Sequence, residues 1–114
     1  MKVIVYGIRN CDTVKKALAW LESHEVAWEF HDYKVAGITR QKLEQWSKVA
    51  GWEILLNRAG TTFRKLPEAV KAKVDRHQAI ELMLEQPSMI KRPVLERGAT
   101  VLVGFSPENY SALK

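Results

Sequence analysis

The chain of 114 residues contains a single cysteine, Cys11. One cysteine cannot close a disulfide within the chain, and cysteine-based zinc sites need more ligands than this chain supplies. The three histidines, His24, His31 and His77, are scattered and show no metal-ligand spacing. We therefore expect no metal and no permanently bound cofactor. A lone free thiol is typical of a reducing compartment, which favours a cytoplasmic location.

Long hydrophobic runs and long runs of like charge are also missing. No stretch reaches the roughly 18 consecutive apolar residues of a membrane helix, and the apolar start is interrupted at Arg9 and Asn10, unlike a signal peptide. The net charge is +5, but the basic residues are dispersed. Such a distribution favours small anionic partners over nucleic acid. We expect a single domain that binds neither membranes nor nucleic acid.

Strand and helix patterns alternate at the beginning of the chain. Val3–Tyr6 is an apolar, β-branched run, typical of a strand buried on both faces. Apolar residues then recur at helical spacing over residues 13–23, with Asp12 as the predicted N-cap. Alternation in Ala27–Tyr33 predicts a second strand. Strand, helix and strand within so few residues predict a parallel βαβ unit.

The middle of the chain is predicted to be mainly helical, and its end to return to strands. Spacing and turn residues predict a helix capped by Thr39, further helices at Leu66–Lys73 and His77–Glu85, and a hairpin turn at Arg97-Gly98. The fold class is therefore α/β and thioredoxin-like. It has a mixed four-stranded sheet, with two parallel and two antiparallel strands, that is flanked by helices. A helical insertion is expected at about residues 37–88.

Cys11 lies between the first strand and the first helix. A lone cysteine is most often a small buried hydrophobe, but the residues around Cys11 are polar. In α/β folds, ligands bind at the carboxyl ends of strands, and the amino end of a helix favours an anion. Because the thiolate is the nucleophilic form, this position predicts a reactive thiol.

Arg92-Pro93 is the second candidate feature, directly before the strand that is expected to lie beside the first strand. A peptide bond before proline is the kind that can be cis, and in a thioredoxin-like fold a cis proline here faces the reactive cysteine. Arg92 would then bring a permanent cation close to Cys11 and bind an oxyanion or carboxylate, with Pro93 beside the substrate. The alternative is a turn proline with a solvated arginine.

The dithiol motif C-x-x-C is absent, because Val14 stands at the place of the second cysteine. Cys11 therefore has no resolving thiol within the chain. A catalytic cycle would need an outside thiol such as glutathione to break the mixed disulfide that Cys11 forms. The pattern predicts a monothiol centre that depends on an external reductant.

Three segments, Tyr6–Thr13, Gly60–Leu66 and Ile90–Val94, occur in an order and at a spacing that resemble the ArsC/Spx family. Within that family the nearest subgroup is the YffB-like, arsenate reductase-like proteins, and the similarity spans nearly the whole chain. The resemblance implies one thioredoxin-fold domain over residues 1–114, with Cys11 as the nucleophile. It also implies a glutathione-dependent thiol reductase that acts on a small-molecule or protein disulfide, as a monomer.

The resemblance also implies roles for the residues around the cysteine. Asn10, Asp12 and Thr13 would form the loop and helix start that hold a bound anion. Arg9 and Arg64 are candidates for contacts to the carboxylates of glutathione. Glutathione is the expected co-substrate, and glutaredoxin is a possible further partner.

Two other functions stay open. Arsenate reductases of the family surround the cysteine with three arginines, and here only Arg92 matches. Asn57 stands at the second position, with Arg58 adjacent, and Ser106 stands near the third. Because an arsenate dianion needs several cationic donors, arsenate reduction is the alternative and not the first choice. A non-enzymatic regulator of the Spx type is the other alternative. Such regulators bind RNA polymerase and commonly carry C-x-x-C, which Val14 breaks.

Overall fold

The computed structural model describes residues 2–113. The chain divides into two units: the first comprises the chain up to Ala36 and again from Arg92, and the second is Gly37–Lys91. The predicted helical insertion at about residues 37–88 falls within the second unit. That the whole chain forms one domain stays a prediction.

The first unit is built on a mixed four-stranded sheet of order β2-β1-β3-β4. The strands are β1 (Val3–Gly7), β2 (Trp28–Asp32), β3 (Val94–Arg97) and β4 (Thr100–Val103). β1 pairs parallel with β2 and antiparallel with β3, and β3 pairs antiparallel with β4. This arrangement confirms the predicted α/β, thioredoxin-like fold class.

Short helices follow the strands and make up most of the second unit. They are α1 (Asp12–Ser23), α2 (Tyr33–Ala36), α3 (Arg40–Ala50), α4 (Trp52–Leu55), α5 (Thr61–Arg64), α6 (Glu68–Ala72), α7 (Arg76–Glu85) and α8 (Pro107–Tyr110). Thr39 caps α3 as predicted, its hydroxyl accepting from the Lys42 N–H at 3.1 Å. The four-residue helices α4 and α5 were not expected, because a single turn carries no periodicity that sequence could reveal.

The core of the first unit lies between one face of the sheet and α1. Val3 and Val5 project from the same face of β1 because side chains alternate along a strand, and Ala17 and Leu21 project from one side of α1. All four are fully buried. Full burial of a valine or leucine side chain stabilises a fold by about 1.5–3 kcal/mol. The packed layer fixes where β1 ends and where α1 begins, and so positions Cys11.

Two predicted boundaries beside Cys11 need correction. Asp12, predicted as the N-cap, is the first residue of α1, and Cys11 holds the N-cap position with extended backbone angles, φ −120° and ψ 123°. Tyr33 was predicted to end the second strand, but it begins α2. The strand stops at Asp32 because its carboxylate accepts from the Lys34 N–H at 3.0 Å, a local turn that competes with the strand.

Tyr6 and Glu96 form a buried hydrogen bond on the other face of the sheet, the hydroxyl donating to Oε1 of Glu96 at 3.1 Å. We expect Tyr6→Phe to lower the free energy of unfolding by about 1–2 kcal/mol, because a buried acceptor loses a donor. Urea denaturation measures it. The matched control is Tyr110→Phe, since the buried Tyr110 hydroxyl has no hydrogen-bond partner among residues 2–113. An equal loss in both variants would contradict this expectation.

Candidate active site

Three segments leave the same edge of the sheet. β1 and β2 are parallel and in register, with Gly7 paired to Asp32, so the loop to Cys11 and the start of α2 lie side by side. β3 is antiparallel to β1, with Val94 paired to Tyr6, so the residues just before β3 lie at this edge too. The carboxyl ends of parallel strands are where α/β folds bind ligands.

Cys11 occupies the N-cap of the twelve-residue helix α1 and is partly exposed. Its carbonyl oxygen accepts the Lys15 N–H at 3.0 Å, but its side chain makes no capping hydrogen bond. The first amides of the helix therefore have no side-chain acceptor from the cap residue. The amino end of a helix is in general a place that favours an anion.

Asn10, Asp12 and Thr13, the predicted anion-holding residues, flank Cys11 and are exposed. Asp12 lies in the first turn of α1, where a carboxylate interacts favourably with the helix dipole. The same carboxylate places a negative charge next to the thiol. Their part in binding a substrate stays a prediction.

The Arg92–Pro93 peptide bond is cis, as the sequence motif predicts. Pro93 is buried, and its carbonyl oxygen accepts the Gly104 N–H at 2.8 Å, which ties the loop to the residue after β4. Arg92 is half-buried. The loop is thus anchored, with a permanent cation at the sheet edge from which Cys11 also emerges.

Tyr33 also lies at this edge, although the sequence did not predict it as a residue of the site. Its side chain is fully buried at the start of α2. Burial raises the pKa of the Tyr33 hydroxyl well above its ordinary value, while the Arg92 guanidinium lowers that pKa and the charges of Cys11 and Asp32 raise it. Charges of both signs at this edge therefore act on the buried hydroxyl. Predicting that Tyr33 lies at this edge would have required the register of the parallel pair β1 and β2.

Arg9 lies at the rim of two shallow clefts beside β2. Its side chain is 81% exposed, with Nε 4.0 Å from Oδ2 of Asp32. One cleft, of about 430 Å³, is lined by Arg9, Phe30, His31, Asp32, Val35 and Ala36. The other, of about 330 Å³, is lined by Arg9, Val14, Lys15, Leu18, Trp28 and Phe30. An exposed guanidinium two residues before Cys11 can reach a carboxylate of a bound ligand.

Arg64, Asn57 and Arg58 belong to the second unit. Arg64 ends α5 and is exposed, and its carbonyl oxygen accepts from the Lys71 Nζ at 3.2 Å. The Arg58 guanidinium lies 3.9 Å from a carboxylate oxygen of Glu53. A role for Arg64 in binding glutathione stays a prediction.

Among residues 2–113, no three side chains of His, Cys, Asp or Glu converge on a position that could hold a metal ion. No helix in the same range has the length and apolar character needed to cross a membrane.

A cysteine at the start of α1 and a cis proline before β3, on a sheet of order β2-β1-β3-β4, define a thioredoxin-like protein with a single thiol. The model of the ArsC family matches residues 6–113, and the chain belongs to this family.

Solved structures and curated proteins agree with this placement. The structure of the YFFB protein is 61% identical, with a TM-score of 0.92 over 96% of both chains. An arsenate reductase (ArsC) related protein from Brucella melitensis is 58% identical, with a TM-score of 0.82 over 98% of this chain and 93% of that one. An uncharacterized protein of Haemophilus influenzae is 43% identical over 96% of each chain. The global transcriptional regulator Spx of Streptococcus agalactiae is 29% identical over 90% of this chain and 76% of its own length.

Proposed function

We propose that this protein is a glutathione-dependent thiol–disulfide reductase of the reducing cytoplasm, with Cys11 as its nucleophile. The observation that supports this most is the shared sheet edge of Cys11 and Arg92. The thiol sits at the N-cap of α1, and the cation precedes the cis proline of the adjacent loop. A helix amino end and a nearby guanidinium both favour the thiolate, the reactive form.

The reaction proceeds through two thiol–disulfide exchanges. The Cys11 thiolate attacks the glutathione sulfur of a mixed disulfide between glutathione and a second thiol. The S–S bond of the substrate breaks, a disulfide between Cys11 and glutathione forms, and the second thiol leaves as a thiolate that takes up a proton. The thiolate of another glutathione then attacks the glutathione sulfur of this adduct. Glutathione disulfide leaves and the Cys11 thiolate is restored.

The residues around Cys11 have different roles in binding the substrate. Arg92 stabilises the Cys11 thiolate and the leaving thiolate, and Pro93 borders the bound disulfide. Asn10, Asp12 and Thr13 shape the loop beside the sulfur, and Arg9 binds a carboxylate of glutathione from its exposed position. Arg64 remains a further candidate for a glutathione carboxylate. Because the chain has no second cysteine, an outside thiol must resolve the adduct, and glutathione is the thiol that we propose.

Arsenate reduction and transcriptional regulation are the competing functions. The first is favoured by the names of relatives, such as the arsenate reductase (ArsC) related protein of Brucella melitensis. The second is favoured by the curated relatives named Spx. In arsenate reduction, Cys11 would attack arsenic while cationic donors hold the arsenate oxygens. In the first unit, the half-buried Arg92 is the arginine that precedes the cis proline at this edge.

The test is a coupled assay with the purified protein. We expect reduction of the mixed disulfide of glutathione and 2-mercaptoethanol, followed as NADPH oxidation by glutathione reductase, at a rate proportional to protein concentration. A second reaction replaces the disulfide with arsenate and adds glutaredoxin, and a third measures binding to purified RNA polymerase. Turnover confined to the arsenate reaction, or polymerase binding without any turnover, would overturn the proposal in favour of the corresponding alternative.

A further inference from the structure

The smaller of the two clefts beside β2, of about 330 Å³, differs in composition from the larger one. Its lining has four apolar side chains, two cations and no acidic residue: Val14, Leu18, Trp28, Phe30, Arg9 and Lys15. The larger cleft shares Arg9 and Phe30 but also has the polar side chains of His31 and Asp32. The proposed reaction uses Arg9 but none of the other five residues of the smaller cleft.

The apolar wall of the smaller cleft is part of the packed first unit. Trp28 and Phe30 stand two residues apart in β2 and so project from the same face of the sheet. Both are partly buried and, with Leu18, pack against the core. A Cβ at Gly7 would lie 2.8 Å from Cγ2 of Val14 and 3.6 Å from Cε1 of Phe30. Because Gly7 has no side chain, these two residues come together over it, and the core holds the cleft in shape without a ligand.

The smaller cleft adjoins Cys11 along the chain. Arg9 stands two residues before Cys11, and Lys15 stands four residues after it. The Lys15 N–H donates to the Cys11 carbonyl oxygen at 3.0 Å, so these two residues are one turn of α1 apart. Residues on both sides of Cys11 therefore line the cleft, within about one helical turn, roughly 5 Å of helix rise.

The two cations of the smaller cleft differ in their acidic partners. The Arg9 Nε lies 4.0 Å from Oδ2 of Asp32. Lys15 is exposed, and among residues 2–113 its ammonium makes no ion pair. An ammonium without a partner beside an apolar cleft complements a ligand that joins an apolar group to an anion.

The size and lining of the smaller cleft favour a small aromatic ligand over a peptide. Pockets that bind small molecules begin at about 300 Å³, and this cleft is close to that limit. Trp28 and Phe30 offer ring surfaces, against which another aromatic ring packs in offset or edge-to-face geometry. Glutathione is itself a polar peptide, for which the larger cleft with its polar side chains is better suited.

We propose that the smaller cleft binds an aromatic carboxylate, with its ring against Trp28 and Phe30 and its carboxylate at Lys15. The substrate class is then a mixed disulfide of glutathione with a thiol that carries such a group. This substrate class rests on the proposed function, whereas the binding site does not. Cys11 bonds to the glutathione sulfur, the S–S bond of the substrate breaks, and the aromatic thiol leaves as a thiolate that takes up a proton.

Binding is tested with phenylacetate, which has the ring and the carboxylate but no sulfur. The indole N–H signal of Trp28 in the NMR spectrum, assigned by its loss in Trp28→Phe, should shift on titration. We expect a Kd of about 1–10 mM for a ligand of about ten non-hydrogen atoms. Acetate, which lacks the ring, should leave the signal in place. Benzyl alcohol, which lacks the charge, should bind about two- to fivefold more weakly than phenylacetate.

Lys15→Gln and Lys16→Gln are the matched variants for this titration. Each removes one exposed ammonium from α1, and of the two residues Lys15 lines the cleft. Lys15→Gln should weaken phenylacetate binding by about two- to fivefold, while Lys16→Gln should leave the Kd unchanged. A Trp28 signal that phenylacetate does not move, or that acetate moves equally, would overturn the proposal. An equal loss of affinity in both variants would do the same.

The substrate class is tested with two mixed disulfides of glutathione, one with 2-mercaptoethanol and one with 4-(mercaptomethyl)benzoate. The sulfur of the second thiol is not conjugated with its ring, so the two leaving thiols have similar reactivity. We expect kcat/KM to be about tenfold higher for the aromatic disulfide, because its ring is buried in the cleft. Lys15→Gln should reduce this ratio by about two- to fivefold, and Lys16→Gln should preserve it. The ratio cancels any effect of Lys15 on the reactivity of Cys11 itself.

The two experiments separate the aromatic site from the proposed function. Phenylacetate binding at Trp28 without turnover of either disulfide keeps the site and removes the substrate class together with the reductase. Equal kcat/KM for the two disulfides overturns the substrate class and leaves the reductase in place. A glutathionylated peptide that is reduced faster than the aromatic disulfide would assign the cleft to a protein segment and overturn the proposal as well.

Discussion

Cys11→Ser is expected to abolish the reduction of glutathione mixed disulfides and, at the same time, to stabilise the fold. Activity falls by at least about 10³-fold, to the background of glutathione alone, because a serine hydroxyl stays protonated and does not attack sulfur. Stability rises because Cys11 holds the N-cap of α1 with extended backbone angles and no capping hydrogen bond. Serine is among the best N-cap residues, since its oxygen accepts an amide of the first turn.

The expected gain in the free energy of unfolding is about 0.5–1 kcal/mol relative both to the unchanged protein and to Cys11→Ala, because neither Cys11 nor alanine caps the helix with a side-chain hydrogen bond. Urea denaturation of the unchanged protein and both variants measures this difference, and the coupled assay measures the activity. Two opposite changes from one substitution are hard to explain by general damage to the protein. Activity retained in Cys11→Ser would remove Cys11 as the nucleophile, and stability below that of Cys11→Ala would contradict its N-cap geometry.

The sequence predicted the parts of the fold that depend on strong local patterns. The buried run of β1, the periodicity of α1 and the turn residues around Gly98 each indicate one structure, and together they limit the topology. The observed strand order and directions follow from these elements and from the handedness rule for a parallel pair. The motif around Pro93 likewise predicted the cis bond that the structure contains.

The details closest to the thiol could not be predicted with the same success. Asp12 has a side chain suited to an N-cap, yet Cys11 takes that position, because the helix begins one residue earlier than the propensities indicate. Tyr33 continued the alternation of the second strand, but the carboxylate of Asp32 turns the chain there. Such local hydrogen bonds compete with the strand and leave no periodic signal. The place of Tyr33 at the site follows only from strand register.

Arg92→Ala is the second change for which we expect a large effect. Loss of a charge-assisted interaction with the thiolate lowers the rate of mixed-disulfide reduction at neutral pH by about 10- to 100-fold. Arg92→Lys keeps the charge and should recover part of the rate, though not the planar arrangement of donors. Lys91→Ala is the matched control, because it removes the same charge one residue earlier from an exposed position.

The pH dependence separates an electrostatic role of Arg92 from a structural one. A cation favours the deprotonated form of Cys11, so its removal costs most at low pH, where the variant holds the sulfur as a thiol. The deficit must shrink as the pH rises and Cys11 ionises in both proteins. Ionisation of Tyr33 does not interfere, because Arg92 lowers the pKa of Tyr33 and its removal leaves the phenol still more firmly protonated. A deficit that stays constant across pH, or one equalled by Lys91→Ala, would show that Arg92 does not act on the thiol.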